Sequence, residues 1–251
     1  MGSEMCIRDR SFNDMLDRLH RSFQQLSQFS ADLAHDVRTP LNNLMVQTQV
    51  ALGKPRSLDE YQALLSSNIE EYERLSRMME SMLFLARADN AHVVLQIQPL
   101  DVAEELNRIA DYFEGIAEEA QVRIAVAGSG TLYADATLLR RAVGNLVANA
   151  IRYTPPQGII SLEATVVAGA TLIGVANPGP GIPPDQIERI FDRFYRADPS
   201  RSSASGSSGL GLAIVRTIMA LHGGQASASS EPGRRTVFTL RFPEAAGNVP
   251  D

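Results

Sequence analysis

Within six residues, His35, Asp36, Thr39 and Pro40 place an imidazole, a carboxylate, a hydroxyl and a residue with no backbone N–H in the stretch FSADLAHDVRTPLNNL. A neutral imidazole, with an unperturbed pKa of about 6.5, is a competent nucleophile at cellular pH. Asp36 can orient that ring or take its proton. Pro40 removes the helical hydrogen bond to the Asp36 carbonyl and strains the turn beneath His35. The other histidines, His20, His92 and His222, lack this company and read as members of solvated helix faces.

Three further groups of residues could hold a phosphorylated ligand. In VGNLVANAIRY, Asn145 and Asn149 are spaced i, i+4, and Arg152 follows about one turn on. An Asn carbonyl can ligate Mg²⁺ and an Arg can hold a phosphate, although the same spacing also suits a plain polar helix edge. In LIGVANPGPGIPP, Asn177 is followed by Gly179 and Gly181. Glycines there let a backbone approach a flat ligand, and the amide of Asn177 could accept from an adenine amino group; a simple Pro-Gly turn is the equal alternative. In SASGSSGLGLAIV, Gly206, Gly209 and Gly211 precede and open a helix, whose free N–H groups favour phosphate. Between the last two lies IFDRFYRADPSR, with Arg193, Arg196 and Arg201. The small and polar residues around it suggest a lid able to close over a phosphate chain.

The elements that must position these groups follow from periodicity. From Phe12 through Val37, apolar residues recur at gaps of three and four, a coiled-coil-like seam expected to continue through Pro40 to about Leu52. Gly53 suits a C-terminal cap, and Ser57 with Glu60 suits a capping box that opens a second helix. Leu58, Tyr61, Leu65, Ile69, Tyr72, Leu75, Met79, Met82 and Leu83 form its stripe, read as core. Such a hairpin buries too little alone, so a dimeric four-helix bundle completes it. Beyond about residue 90 the pattern changes. VVLQIQPL, VRIAVAG and TLYA read as strands, and a helix begins near Asp101. Another runs from Asp135 to Pro155, with paired strands GIISLEATVVAG and ATLIGVANPG after it. The helix GLGLAIVRTIMALHGG and two strands ending near Phe242 close the chain. Helices segregated from a mostly antiparallel sheet predict an α/β sandwich, and the whole chain reads as α+β.

Composition narrows the classes. A net charge of −6 disfavours nucleic acid as a main partner. No run of about 18 apolar residues is present to span a membrane. The one cysteine, Cys6, excludes an internal disulfide framework and a Cys-rich zinc site. MGSEMCIRDR, residues 1–10, fits no pattern and reads as a tag or cloning scar.

Taken in order, the Asn-rich helix, NPGPGI, FDRFYR and GLGLAIV resemble the ATP-binding domain of sensor histidine kinases, within the gyrase/Hsp90/histidine-kinase ATPase superfamily. AHDVRTPL resembles that family's phosphoacceptor box, and SQFSADLAHDVRTPLNNLMVQTQVAL resembles the heavy-metal, copper-type subgroup. The resemblance covers about residues 11 to 243. It implies the end of a HAMP-like linker at 11–28, a dimerisation and histidine phosphotransfer domain at 29–90, a catalytic ATP-binding domain at 91–245 and a tail at 246–251.

The resemblance implies ATP and Mg²⁺ as cofactors. His35 becomes the phosphorylated residue, with Asp36 beside it and Thr39 positioning water for dephosphorylation of a partner. Asn149 would ligate Mg²⁺, with Asn145 close by; Arg152 and Arg196 would hold phosphates, and Tyr153 would pack near the nucleotide. Asn177, Gly179 and Gly181 would form the adenine pocket; Gly209, Leu210 and Gly211 would form the glycine segment crossing the phosphates. The implied partners are a second copy of the chain and the receiver domain of a response regulator. The implied location is the cytoplasmic part of a bacterial inner-membrane protein. Three departures stand out: Asp36 where Glu is commoner, Asn177 where the family's adenine-reading Asp is usual, and Ser207 for a glycine. Asn keeps the acceptor oxygen. The alternatives are a superfamily ATPase, a non-catalytic dimeric scaffold and a serine kinase. The first needs a glutamate base that RRAVGNLVANAIRY lacks, the intact boxes argue against the second, and the third has no histidine hairpin.

Overall fold

The computed structural model of the chain describes residues 34, 37–90, 92–167, 169–196 and 209–243. These fall into two compact units divided between Arg77 and Met78.

In the first unit a helix over residues 37–52, α1, continues past Pro40, which is buried. Gly53 donates its N–H to the Gln49 carbonyl (3.0 Å). It does so without the left-handed backbone expected of a glycine cap. The helix α2 (Leu58–Asp89) opens on the expected capping box. The Ser57 N–H donates to Glu60 Oε2 (2.8 Å), and the Glu60 N–H donates back to Ser57 Oγ (3.3 Å). Leu44 and Ala51 of α1 are buried, but Leu65, Ile69 and Tyr72 on the expected core stripe of α2 are 60%, 57% and 58% exposed. In a single chain that stripe is therefore an uncovered apolar face rather than a core.

The second unit carries the α/β fold. The sheet has five strands in the order β2 (Arg123–Gly128), β4 (Ile159–Val167), β5 (Ala170–Pro178), β7 (Arg235–Phe242), β6 (Gln225–Glu231). Every pairing is antiparallel except β2 with β4. A separate two-stranded ribbon joins β1 (Ile97–Asp101) to β3 (Thr131–Asp135). The helices α3 (Val102–Glu119), α4 (Ala136–Tyr153) and α5 (Gly211–Leu221) pack on the five-stranded sheet. Alternation drives this: Ile160, Leu162 and Ala164 of β4 and Phe238, Leu240 and Phe242 of β7 point inward. Leu139, Val143, Leu146, Val147 and Ala150 form the matching arc of α4.

Local sequence sets the helix starts. Asp101 caps α3 by accepting from the Glu104 N–H, and Asp135 caps α4 by accepting from the N–H groups of Thr137 and Leu138. A buried carboxylate, Glu105, then ties α3 to α4. It accepts from Arg140 Nε (2.6 Å) and from a second Arg140 nitrogen (2.8 Å), while Arg108 donates to the same carboxylate (2.9 Å).

Candidate functional site

The helix α4 presents most of the candidate side chains because its apolar arc is committed to the sheet and its other edge is not. Asn145 donates its amide to the Arg141 carbonyl (2.7 Å), which fixes the amide and leaves Oδ1 as its outward acceptor. A Cβ placed on Gly211 would stand 3.0 Å from that Oδ1, so the first residue of α5 sits directly against Asn145. One turn further on, Asn149 is half-buried, and among the described residues its amide has no hydrogen-bond partner. Arg152 lies over the ring of Tyr153, 5.6 Å from its centroid.

The end of β5 meets the end of α4. A Cβ on Gly179 would lie 2.5 Å from the Tyr153 carbonyl oxygen. The glycine is thus required by protein backbone, not only by approach of a ligand. Gly181 adopts φ +80°, and a side chain there would also meet Pro232. Asn177 is 5% exposed and donates Nδ2 to the Pro178 carbonyl (2.9 Å). That bond turns Oδ1 into the available acceptor.

The start of α5 is held from the other side. Phe194, in the left-handed conformation at φ 61°, donates its N–H to the Gly209 carbonyl (3.0 Å). Gly209 has φ +66°, and a Cβ there would meet the Phe194 backbone at 2.8 Å. Leu210 is buried and Gly211 opens the helix. Unlike α3 and α4, α5 has no side-chain hydrogen bond from its N-cap residue, Leu210, so no cap residue satisfies its first N–H groups.

The structure therefore brings Asn145 to Gly211 and Tyr153 to Gly179. Arg196 is half-buried, and Thr39 is exposed on α1. His35 and Asp36 lie outside the described residues, as do Arg201, Gly206 and Ser207. No group of three His, Cys, Asp or Glu side chains suited to a metal occurs among the described residues. None of the described helices is long and apolar enough to cross a membrane.

Some residues at the site escaped the sequence reading. Thr236 pairs with Asn177 across the β5–β7 ladder and is buried. Its hydroxyl lies 2.9 Å from Ser230 Oγ, which accepts from the Ile182 N–H (2.9 Å). This chain of hydroxyls pins the loop after Gly181 to the sheet beside Asn177. The available signal is Thr236 occupying an inward position of the alternating stretch TVFTLRF. Arg141 is another: its guanidinium lies 4.4 Å from the ring centroid of Phe84 near the end of α2, and burial pushes its pKa down. His222 is the third, and corrects the reading of a solvated imidazole. It is half-buried, with both ring nitrogens engaged.

Comparison with known proteins identifies two domains in the chain. Residues 25–91 match the His Kinase A (phospho-acceptor) domain, and residues 134–246 match the histidine kinase-, DNA gyrase B- and HSP90-like ATPase domain. The sensor protein IrlS of Burkholderia pseudomallei is 52% identical over 238 residues, covering 95% of this chain and 51% of that protein. The sensor protein CzcS of Cupriavidus metallidurans is 50% identical over 233 residues, covering 93% of this chain and 49% of that protein. The chain spans about half the length of these relatives. Among solved structures, full-length ShkA in complex with AMPPNP superposes with a TM-score of 0.66 at 28% identity, covering 88% of this chain and 46% of that one. With both domains matched in order, and relatives of half or greater identity along nearly the whole chain, the chain belongs to the sensor histidine kinases.

Proposed function

We propose that the protein phosphorylates His35 from ATP and passes the phosphoryl group to an aspartate of a response regulator receiver domain, with a phosphatase activity toward that regulator. The observation that carries the reading is the edge of α4. The half-buried amide of Asn149 has no partner among the described residues, one turn from the Asn145–Gly211 junction where α5 begins without a side-chain cap. Unsatisfied N–H groups at a helix start favour phosphate, and a carboxamide oxygen is a hard ligand suited to Mg²⁺.

These residues fit a Mg²⁺-nucleotide. ATP supplies the phosphoryl group, and Mg²⁺ neutralises its charge. Asn149 would contribute the metal ligand and Asn145 would hold the start of α5. Arg152 and Arg196 would contact phosphates, and Tyr153 would pack against the nucleotide. Asn177 would accept from the adenine amino group through Oδ1, in a pocket walled by Gly179 and Gly181. Gly209, Leu210 and Gly211 would form the backbone segment at the phosphates. At the phosphoacceptor end, His35 is the nucleophile and Asp36 orients its ring or takes its proton.

The uncovered stripe through Leu65, Ile69 and Tyr72 supports a homodimer closed as a four-helix bundle. We assign dimerisation and phosphotransfer to residues 29–90, catalysis to 91–245 and the end of a HAMP-like linker to 11–28, with residues 1–10 a tag or cloning scar and 246–251 a tail. The intact receptor would sit in the bacterial inner membrane, with this part in the cytoplasm, and would belong to the heavy-metal subgroup. Incubation with γ-labelled ATP and Mg²⁺ tests the reading. Label that is acid-labile, base-stable and absent from His35→Gln is expected. Acid-stable label, or label persisting in that variant, would overturn it.

A further inference from the structure

The reading of His222 as a solvated residue fails on two contacts. Its Nε2 lies 3.1 Å from the backbone N–H of Asp135, and its Nδ1 lies 2.8 Å from the Ile218 carbonyl. A backbone N–H can only donate, so Nε2 must carry the lone pair. The single ring proton then resides on Nδ1, where the Ile218 carbonyl needs a donor. Both contacts demand the same neutral tautomer, and an imidazolium would set one N–H against another.

The surroundings leave the imidazole little freedom. Its ring stands edge-to-face on buried Phe242, with centroids 5.6 Å apart and planes at 79°. After His222 the chain turns through Gly223 at φ +65°, and a Cβ on Gly224 would collide with the Arg241 carbonyl. The other partner is equally fixed. Asp135 Oδ1 accepts from the Thr137 and Leu138 N–H groups, and Oδ2 accepts from the Gln96 N–H (3.1 Å). Burial pushes the Asp135 carboxyl up, these three backbone donors pull it down, and its pKa lies below the usual carboxylate value.

His222 and Asp135 therefore join the C-terminal end of α5 to the N-terminal end of α4. At the opposite end of the same antiparallel pair, Gly211 abuts Asn145. From Asp135 to Asn145 is about 15 Å of helix, and from Gly211 to His222 about 16.5 Å, at the usual rise per residue. The two contacts thus sit at matched heights and together define one axial register of α5 against α4. A slip of one residue, about 1.5 Å, would separate both.

We infer that His222 is a positioning residue for nucleotide binding. In its neutral Nδ1–H tautomer it locks α5 to the cap of α4, and so holds Gly211 against Asn145. The inference rests on reading that junction as the nucleotide site. A leucine at this position would keep the packing on Phe242 but leave the Asp135 N–H without an acceptor. A glutamine would restore an acceptor oxygen.

The test uses the full chain, with His222→Leu and His222→Gln beside the parent. Long-range ¹H–¹⁵N spectra should show His222 protonated at Nδ1; protonation at Nε2 would overturn the inference. The Gly211 backbone amide resonance should shift in His222→Leu and return toward the parent position in His222→Gln. The dissociation constant of a fluorescent ATP analogue with Mg²⁺ should rise about tenfold in His222→Leu, the scale of one lost hydrogen bond to a site's framework, and stay within about threefold in His222→Gln. A parent that binds nucleotide while His222→Leu binds equally well, whatever its melting temperature, would overturn the inference alone. A parent that fails to bind nucleotide would overturn the proposed function and, with it, the positional role.

Discussion

Gly179 lies so close to Tyr153 that a Cβ on the glycine would stand 2.5 Å from the tyrosine carbonyl oxygen. That carbonyl is backbone at the last residue of α4, so it cannot swing aside as a side chain would. Gly179→Ala should push the end of β5 away from the end of α4, at a cost of about 1–3 kcal/mol, the usual range for forced overpacking. It should also weaken nucleotide binding, because Asn177 and Tyr153 sit on the two separated elements. The control is Gly115→Ala in α3, where nothing lies within 4 Å of the new methyl group. That change should stabilise by about 0.5–1 kcal/mol through helix propensity. Thermal melts of both variants decide the matter; equal melting temperatures would show that the Gly179 contact relaxes without strain.

Glu105 predicts a pH dependence of stability. Hydrogen bonds from Arg140 hold its carboxyl below the usual carboxylate range, against the burial that pushes it up. A carboxyl lowered on folding contributes stability that is complete above its unfolded pKa, about 4.3, and is lost as pH falls through the lower folded value. Glu105→Gln should therefore be destabilised by about 1–3 kcal/mol at neutral pH, with Arg140 left without its carboxylate. As pH falls into the acid range the parent should lose this advantage and the two unfolding curves converge. Curves that stay parallel down to about pH 3 would mean that the clamp adds nothing to stability.

Asn149 and Asn177 should separate metal from base recognition. Asn149→Ala is expected to abolish labelling from ATP while the dimer persists, because the metal ligand is lost. Asn177→Ala should weaken ATP and ADP by similar factors, on the order of tenfold, because the adenine contact is common to both. Asn177→Asp keeps an acceptor oxygen and should retain binding. Titration of a fluorescent nucleotide with and without Mg²⁺ distinguishes the two. An Asn149→Ala variant whose Mg²⁺ dependence matches the parent would remove Asn149 from the metal.

Much of this was legible because local chemistry and periodicity agree. Ser57 with Glu60, Asp101 and Asp135 announce helix starts, and each makes the expected backbone contact. The inward rows of β4 and β7 follow from alternation. Other features have no local signature. VVLQIQPL reads as a strand from Val93, but pairing begins at Ile97, where β3 supplies a partner. The parallel pairing of β2 with β4 leaves the same period-two pattern as an antiparallel one. The stripe of α2 reads as core, yet a face destined for a second chain has the same composition. His222 eluded the reading because both its partners are backbone groups, one of them 87 residues away in sequence. At the site, the order of the motifs was legible; the reason for Gly179 was not, since the carbonyl it accommodates is 26 residues upstream in the chain.

Thr39 provides the last test, of the proposed phosphatase activity. It lies four residues after His35, a spacing that a helix would bring to one face. In the structure it is exposed on α1, next to the buried Pro40, where a docked partner could meet its side chain. A hydroxyl there can orient a water toward an acyl phosphate, and hydrolysis needs that water while forward transfer does not. Thr39→Ala should keep autophosphorylation and transfer, yet slow regulator dephosphorylation by about ten- to a thousand-fold, the range for a lost positioning or proton-transfer group. The decay of phosphorylated regulator, followed with ADP or a non-hydrolysable ATP analogue, gives the readout. Equal decay with parent and variant would remove the role. Loss of autophosphorylation as well would instead place Thr39 in the architecture of the turn at Pro40, since a water-orienting hydroxyl has no part in that step.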